Sequence, residues 1–413
     1  RDAPSVWGFI KGFGKLIVGV LLVIQGVLGL AVLLMIAGVL IAASNGFGGA
    51  KPEAAAVPDG SALLINPNGV LVEQAPPTDP LEEVFKQAYG VEEPGAIEVG
   101  DVIRAIKEAA SDERIKGIVL DLGNLQMSQI SASKGHDVAA ALAEFKSSGK
   151  KIYAVGDYYS QEQYLLAAQA DEIYMHDEGS IVLIGNASYN LFLKSFLEKI
   201  KVTAHVFRVG TYKAAVEPFL RDDMSPEAKE ANLAFLGAIW ADYGKSVEAA
   251  RGMQPGAVND FANNFGEIIR AVDGDFGLAA KQRKFVDKLM SRPEQLEAMK
   301  AVFGEAEDGE TFTHVELDDY LGVIGEPKDG DAPNVGVITA AGEIVDGEAP
   351  IGDAAGGDTV AGFLKQALDD ENIKAVVLRI DSPGGSAFAS EVIRDGVIAL
   401  KEAGKPVVVS MGS

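Results

Sequence analysis

The chain has 413 residues, 48% of them hydrophobic and 23% charged, a composition that can bury a core and excludes a disordered chain. Asp and Glu total 60 against 36 Lys and Arg, and this net charge of -24 argues against a nucleic-acid-binding protein, which presents a basic face. The absence of cysteine excludes disulfides, a cysteine nucleophile and thiolate metal sites. The four histidines show no short ligand spacing, so no metal or cofactor is implied. The length predicts two or three domains.

The N-terminal region contains a long uncharged run, residues 16–43, in which Gln25 is the one amide. At 1.5 Å per residue, the run forms a helix of about 42 Å, enough to cross a hydrocarbon layer of about 30 Å. A cleaved signal peptide is the alternative, but its apolar region spans only about 7–15 residues. We therefore predict a retained transmembrane helix over 16–43 that anchors the chain in a lipid bilayer.

The charges that flank this run predict its orientation. Arg1, Lys11 and Lys15 precede it, whereas residues 44–50 carry no charge. The positive-inside rule therefore places residues 1–15 in the cytoplasm and the acidic remainder of the chain across the membrane. Residues 44–60 are rich in small residues, Gly and Pro, and are typical of a linker.

Strand-like and helix-like patterns alternate after the linker. Ser225 and Pro226 suit the cap and the first position of one of the helices. Alternation with nearly continuous apolar strands predicts an α/β fold whose sheets are buried. The predicted strands cover 62–65, 70–72, 115–122, 151–155, 170–175 and 202–207, and the predicted helices cover 101–111, 133–147, 226–251 and 387–402.

The sequence repeats itself after this first series of elements. IKGIVLD at 115–121 resembles IKAVVLRID at 373–381, and GKKIYAV at 149–155 resembles GKPVVVS at 404–410. We therefore predict a tandem duplication. Its first repeat covers 61–325, and its second begins at 334 and reaches 413 after only its early elements. A repeat that ends inside its own core cannot bury its apolar faces, so we expect the second repeat to be truncated here.

Two segments could carry chemistry. Asp381-Ser-Pro-Gly-Gly-Ser386 follows an apolar strand, and a Gly pair there can aim backbone N–H groups at an anion or a carbonyl oxygen, although a simple tight turn is the alternative. Lys213 has small apolar neighbours that would suit burial, and a desolvated lysine can act as a general base, although a solvated surface lysine is the alternative. Ser131 and Lys134 match a Ser-x-x-Lys pattern that is common by chance.

Two long motifs, GTYKAAVEPFLRDDMSPEAKEAN at 210–232 and RIDSPGGSAFASEVIRDGVIALKEAGKPVVVSMGS at 379–413, resemble the signal peptide peptidase A (protease IV) family in its long tandem form. The resemblance implies tandem crotonase/ClpP-like α/β repeats and a serine endopeptidase with a Ser/Lys dyad. By the same resemblance, Lys213 in the first repeat is the general base and proton donor. Gly384 and Gly385 in the second repeat supply the backbone of the oxyanion hole.

The resemblance also implies where the nucleophile lies. In the family it occupies an Ala-Ser-Gly-Gly stretch a few residues beyond Ser-Met-Gly, whereas this chain ends at Ser410-Met-Gly-Ser413. We therefore expect the nucleophilic serine just beyond Ser413, so that neither Ser410 nor Ser413 is the nucleophile and the chain as given lacks it. Ser160, in the corresponding region of the first repeat, has no Gly pair beside it, and we expect that site to be degenerate.

The family degrades signal peptides after their release from secreted proteins. The resemblance therefore implies peptide substrates, no cofactor, and a homotetramer in the bacterial inner membrane with its catalytic body in the periplasm. Two alternatives remain open at this point. One is a catalytically inactive, membrane-anchored scaffold of the same fold. The other is a crotonase-type acyl-CoA enzyme, which the placement across the membrane argues against because CoA is cytoplasmic.

Overall fold

The computed structural model describes residues 25–26, 29–30, 56–77, 95–127, 132–325 and 334–412. The chain divides into two units, Arg1–Ala55 and Ala56–Ser413. The four described residues of the first unit are helical, and the rest of the predicted membrane run lies outside the described residues. Within the described ranges, no helix combines the length and the apolar character needed to cross a bilayer.

A six-stranded parallel sheet forms the centre of the second unit. Its strands are β1 (Ser61–Ile65), β4 (Ile115–Asp121), β6 (Lys151–Gly156), β7 (Glu172–Met175), β8 (Lys288–Leu289) and β9 (His314–Glu316). They lie in the order β8-β7-β6-β4-β1-β9. A smaller parallel sheet beside it contains β2 (Gly69–Val72), β3 (Gly95–Glu98) and β5 (Leu125–Gln126), in the order β3-β2-β5.

Helices surround this sheet. They are α1 (Val99–Ser111), α2 (Ala132–Phe145), α3 (Gln161–Ala167), α4 (Lys194–Lys199), α5 (Glu217–Leu220), α6 (Pro226–Arg251), α7 (Ala257–Asn263), α8 (Phe265–Arg270), α9 (Phe276–Gln282), α10 (Arg292–Phe303) and α11 (Leu317–Ile324). The two predicted residues at the start of α6 have the expected roles: the Ser225 hydroxyl accepts a hydrogen bond from Ala228 N at 3.1 Å, and Pro226 occupies the first helical position.

Apolar side chains cover both faces of the six-stranded sheet, which explains its nearly continuous apolar strands. On one face, Ile118 and Ile152 belong to a large core to which α1 contributes Val102 and Ile106. The other face forms a separate cluster in which Val119, Tyr153 and Tyr174 of the strands pack with residues from α10 and the segment after it, namely Met299, Phe303 and Phe312.

A second parallel sheet, β10 (Asn334–Ala341), β13 (Ile373–Asp381) and β14 (Val407–Met411), lies in the order β10-β13-β14. Two short parallel strands, β11 (Ile344–Val345) and β12 (Ala355–Gly356), accompany it, together with helices α12 (Gly357–Asp369) and α13 (Ala387–Glu402). Its inner face packs Ile338, Val376 and Leu378 against Leu364 and Leu400 of these helices. Val335, Val337 and Val408 are exposed.

The elements from β1 to α11 form the first part of the unit, and those from β10 to β14 form the second part. The two parts share one order of elements. In the first part, β1 pairs with β4 and β4 with β6, while β2 pairs with β3. In the second part, β10 pairs with β13 and β13 with β14, while β11 pairs with β12. In both parts, one helix precedes the central strand (β4 or β13) and another follows it. The carboxyl ends of β4 and β13 therefore occupy corresponding places.

The secondary structure predicted from the sequence is confirmed at most positions and wrong at one. The predicted strands that correspond to β1, β2, β4, β6 and β7, and the helices at α1, α2, α6 and α13, are confirmed. The strand predicted over 202–207 is wrong, because these residues form neither strand nor helix. Their side chains alternate between polar and apolar as in a strand, but no described strand pairs with them, and Phe207 is 98% exposed.

Asp112, at the end of α1, contacts the connection before β4 and helix α11. Its carboxylate accepts hydrogen bonds from Arg114 Nε at 2.9 Å, from Arg114 Nη2 at 2.6 Å and from the Tyr320 hydroxyl of α11 at 3.2 Å. The Arg114 guanidinium lowers the pKa of Asp112 to about 2. A carboxyl with a depressed pKa stabilises the fold above its unfolded-state pKa, and this stabilisation is lost as the pH falls through the folded-state value.

We predict that Asp112→Asn lowers the free energy of unfolding at pH 7 by about 1 kcal/mol, a figure reduced for the partial exposure of Arg114. The difference from the unmodified chain should narrow between about pH 4 and pH 2, where the wild-type carboxylate is protonated. Urea unfolding monitored by circular dichroism would measure it. The control is Asp369→Asn, which removes an exposed partner of Lys365 and should change the free energy by less than about 0.5 kcal/mol. If the difference in the free energy of unfolding between Asp112→Asn and the unmodified chain stays constant with pH, the lowered pKa of Asp112 would be contradicted.

Candidate functional site

The turn formed by residues 382–386 occupies the carboxyl end of the central strand β13. It leads directly into α13, where the Ser386 hydroxyl caps the helix by accepting a hydrogen bond from Ala389 N at 3.2 Å. The carboxyl edge of a parallel sheet is a usual place for ligands, and the first N–H groups of a helix favour negative charge. The turn is therefore placed where a developing negative charge would be stabilised.

Backbone contacts with β11 fix the shape of this turn. Ile344 N donates to Gly384 O at 2.9 Å, and Ser386 N donates to Ile344 O at 2.8 Å. Gly384 has φ +110°, which side-chain-bearing residues rarely adopt. A Cβ on Gly385 would overlap Ile344 O, so β11 leaves no room for a side chain there. Gly384 is therefore required by its positive φ, and Gly385 by the close approach of the β11 backbone.

The amides of the two glycines differ in their hydrogen bonding. Gly384 N donates to the Ser382 hydroxyl oxygen at 3.1 Å. Gly385 N has no hydrogen-bond acceptor among the described residues, and Gly385 is exposed. The Gly385 amide is therefore available to a carbonyl oxygen, whereas the Gly384 amide becomes available only when the Ser382 hydroxyl gives way.

Lys213 lies immediately before a 3₁₀ turn, Ala214–Val216, and α5. Its carbonyl accepts a hydrogen bond from Arg208 Nη1 at 2.8 Å, but its side chain makes no hydrogen bond or ion pair with a described residue. The small neighbours do not bury Lys213 in this chain, and its side chain is exposed because no described element covers the segment that precedes it. No hydrogen bond or ion pair between described residues links it to the turn at 382–386.

Glu217 attaches the Lys213 segment to the start of α6. Its carboxylate is buried and accepts a hydrogen bond from Ser225 N at 3.0 Å, while Arg208 Nη1 lies 3.8 Å from it. Hydrogen bonding to Ser225 lowers the pKa of Glu217 below its usual value. Glu217 therefore supports the backbone around Lys213.

Ser410 and Ser160 each take part in hydrogen bonds that support the fold. The Ser410 hydroxyl accepts a hydrogen bond from Arg379 Nη1 at 2.9 Å, and Ser413 lies outside the described residues. Ser160 caps α3: its hydroxyl accepts from Gln163 N at 3.2 Å, and Gln163 Oε1 accepts from Ser160 N at 2.9 Å. Ser160 thus has a structural role.

A cavity of about 530 Å³ lies at the carboxyl ends of β4 and β6, at the place that corresponds to the turn after β13. Asp157 at its wall binds Arg292 Nε at 2.9 Å, and this hydrogen bond lowers the pKa of Asp157. Within the described part of the chain, no group of three or more histidine or carboxylate side chains is arranged to hold a metal ion.

The sequence reasoning missed a polar cluster at the end of the second sheet. Lys134 of α2 is 2% exposed, and its Nζ lies 2.5 Å from Asp381 Oδ2. Arg379 Nη2 donates to Glu73 Oε1 at 2.6 Å. One signal was present: Lys134 stands on the apolar side of a predicted helix, one turn before Val138, where a charge needs a partner.

Residues 144–303 match the sequence model of Peptidase family S49. Protease 4 of Haemophilus influenzae (strain ATCC 51907 / DSM 11121 / KW20 / Rd) is 40% identical over 376 residues, which cover 91% of this chain and 60% of that protein. Protease 4 of Salmonella typhi is 39% identical over 412 residues, which cover 99% of this chain and 65% of that protein. The chain thus spans less than two thirds of the length of these relatives.

The chain is thus similar to Peptidase family S49 over residues 144–303. Its relationship to the protease 4 proteins, which the two long motifs predict, is confirmed. Among solved structures it resembles a mutant of the 1510-N membrane-bound stomatin-specific protease at 10% identity and a TM-score of 0.28, covering 62% of this chain and 94% of that chain. It also resembles a putative enoyl-CoA hydratase from Mycobacterium avium paratuberculosis K-10 at 12% identity and a TM-score of 0.18, covering 49% and 83%.

We predict that Gly385→Ala forces the turn away from β11, because the new Cβ would overlap Ile344 O. The expected loss in the free energy of unfolding is about 1–3 kcal/mol, the usual size of such backbone strain. Thermal unfolding of the Gly385→Ala variant and of the unmodified protein would measure this loss. The matched control is Gly362→Ala in α12, where a Cβ meets nothing within 4 Å and the helix should gain about 0.5–1 kcal/mol. Equal effects at both positions would contradict the prediction.

Proposed function

We propose that this protein is a membrane-bound serine endopeptidase that uses a Ser/Lys dyad, with Lys213 as the base and the turn at Gly384 and Gly385 as the oxyanion site. The observation that carries the proposal is the exposed Gly385 amide, which has no acceptor among the described residues and lies at the carboxyl edge of a parallel sheet, before a helix. The relationship to the protease 4 proteins supports the same class of reaction.

The proposed chemistry needs three groups. A serine hydroxyl, which the resemblance places beyond Ser413, attacks the peptide carbonyl while neutral Lys213 accepts its proton. The carbonyl oxygen gains negative charge and accepts a hydrogen bond from Gly385 N, with Gly384 N as a second donor. The ammonium of Lys213 then gives its proton to the leaving amine, and the acyl-enzyme is hydrolysed by water with the same base.

Lys213 must be desolvated to act as a base near neutral pH, and in this chain it is exposed. Exposed apolar side chains lie on the same segment, with Phe207 at 98% and Val209 at 91% exposure. A surface that covers this segment would dehydrate Lys213 and bury the apolar side chains together. We therefore include a homotetramer in the proposal, with active sites completed at the boundaries between subunits.

The proposed architecture is a tandem duplication of crotonase/ClpP-like repeats over 61–325 and 334–413. The shared order and pairing of elements in the two parts support it. The first repeat supplies Lys213 and the second supplies the oxyanion turn. An anchor over 16–43 would hold the enzyme in the bacterial inner membrane, with residues 1–15 in the cytoplasm and the catalytic body in the periplasm, close to its proposed substrates, released signal peptides.

We predict that Lys213→Ala and Lys213→Arg each lower kcat for peptide cleavage by about 10²–10⁴-fold, because neither side chain can accept a proton near neutral pH. The protein should be tested as its gene encodes it, with a fluorogenic peptide. The midpoint of thermal unfolding should stay unchanged, because the Lys213 side chain has no partner among the described residues.

Lys199→Ala is the control for this pair of variants, since Lys199 is also exposed and belongs to the neighbouring α4, and its cleavage rate should match the unmodified enzyme. A serine-directed fluorophosphonate should label the unmodified enzyme. Cleavage retained by Lys213→Ala would refute the dyad. A protein that neither cleaves peptides nor takes the label would instead be the inactive scaffold.

A further inference from the structure

The carboxyl ends of β13 and β14 are held by side chains that come from the first part of the unit. Asp381, the last residue of β13, directly precedes the turn at 382–386, and Gly412 directly follows β14. The N-terminal turn of α2 and the end of β2 contact these positions through charged and polar groups. Such contacts fix the turn relative to a part of the protein distant in sequence.

The first contact is a buried ion pair. Lys134 Nζ lies 2.5 Å from Asp381 Oδ2, with the two side chains 3% and 22% exposed. A buried ion pair gains little net stability because both charges lose their hydration, but it has one defined geometry, and removal of one partner leaves a buried charge unpaired. The pair therefore specifies where the end of β13 lies on α2.

The second contact fixes β14 beside it. Arg379 joins Glu73 at the end of β2 and also donates to the Ser410 hydroxyl at 2.9 Å. The Ser133 hydroxyl donates to Gly412 O, and Gly412 N donates to Ile380 O at 2.7 Å. A Cβ on Gly412 would lie 2.8 Å from Glu73 Oε1, so the ion pair packs directly on the backbone.

The same helix α2 is joined to the element that supports Lys213. His136 Nε2 lies 3.6 Å from Asp242 Oδ2 of α6, and the Tyr243 hydroxyl of α6 donates to Gln161 O of α3, which packs on α2. The start of α6 in turn holds Glu217, four residues after Lys213. The turn is thus joined to α2, α2 to α6, and the start of α6 to the segment that follows Lys213.

We propose that Lys134 and Glu73 are positioning residues. Lys134 acts through Asp381 and Glu73 acts through Arg379. Together they align the oxyanion turn and the end of β14 with the segment that carries Lys213. This inference rests on the proposed function. The side chains of Lys134 and Glu73 do not touch substrate. They hold the second part in the one arrangement in which the turn faces the reacting carbonyl.

The test uses the protein as its gene encodes it and compares single and double variants of the buried pair. Lys134→Met and Asp381→Asn should each lower kcat at least tenfold, with KM for a fluorogenic peptide within twofold, and should lower the midpoint of thermal unfolding. Lys134→Met combined with Asp381→Leu removes both charges, so the unfolding midpoint should recover because no buried charge is left unpaired. The value of kcat should stay low, since the turn is no longer held.

Arg251→Met provides a matched control. It breaks an ion pair of similar burial, Arg251 Nη2 to Asp287 Oδ1 at 2.8 Å, which lies within the first part and away from the turn. This variant should lower the unfolding midpoint but leave kcat unchanged. Recovery of kcat together with stability in the double variant, or unchanged kcat in the single variants, would reduce the Lys134–Asp381 pair to a purely structural role and overturn the proposal.

Hydrogen exchange separates this inference from the proposed function. In Lys134→Met, the hydrogen-bonded amides of Gly384, Ser386 and Gly412 should exchange at least tenfold faster, while the amides of α12 keep their rates. This readout needs no catalysis, so it decides the positioning role even if the unmodified protein proves unable to cleave peptides. Unchanged exchange at Gly384 and Ser386 would overturn the proposal on its own.

Discussion

Parallel strand pairing is the constraint on which the other features of the structure depend. Because β10, β13 and β14 run in one direction, the turn after β13 and the chain after β14 emerge at the same edge of the sheet. The same direction in the first part places the cavity beside β4 and β6 at the corresponding edge. The site at 382–386 thus follows from strand direction, and the helix after β13 adds its N-terminal N–H groups there.

The sequence predicted the features that depend on local pattern. The apolar strands, the Ser225 cap and the helix after the Gly pair were confirmed, because burial and capping are determined by nearby residues. The prediction of a strand over 202–207 was wrong, because this segment forms no hydrogen-bonded pair with any strand that the structure describes. The sequence left open whether Lys213 is buried or exposed, and it is exposed because small neighbours do not bury a side chain without an element packed over it.

Contacts between residues far apart in sequence were beyond prediction. Lys134 and Asp381 are separated by more than half the chain, and no spacing rule joins them. The difference between the Gly384 and Gly385 amides likewise depends on where the Ser382 hydroxyl points, which only the folded turn determines. The face of β10 and β14 that exposes Val335, Val337 and Val408 contrasts with the first sheet, whose equivalent face is covered by α10.

The packing around Gly412 has a consequence for genetics. A Cβ at this position would lie 2.8 Å from Glu73 Oε1 and 3.0 Å from Arg379 Nε, so even a single methyl group would have to displace the ends of these two paired side chains. A substitution at position 412 would therefore disturb this ion pair through its volume alone. In a library of random substitutions, a loss of function at position 412 would then reflect the displaced ion pair and would not mark a residue that takes part in chemistry.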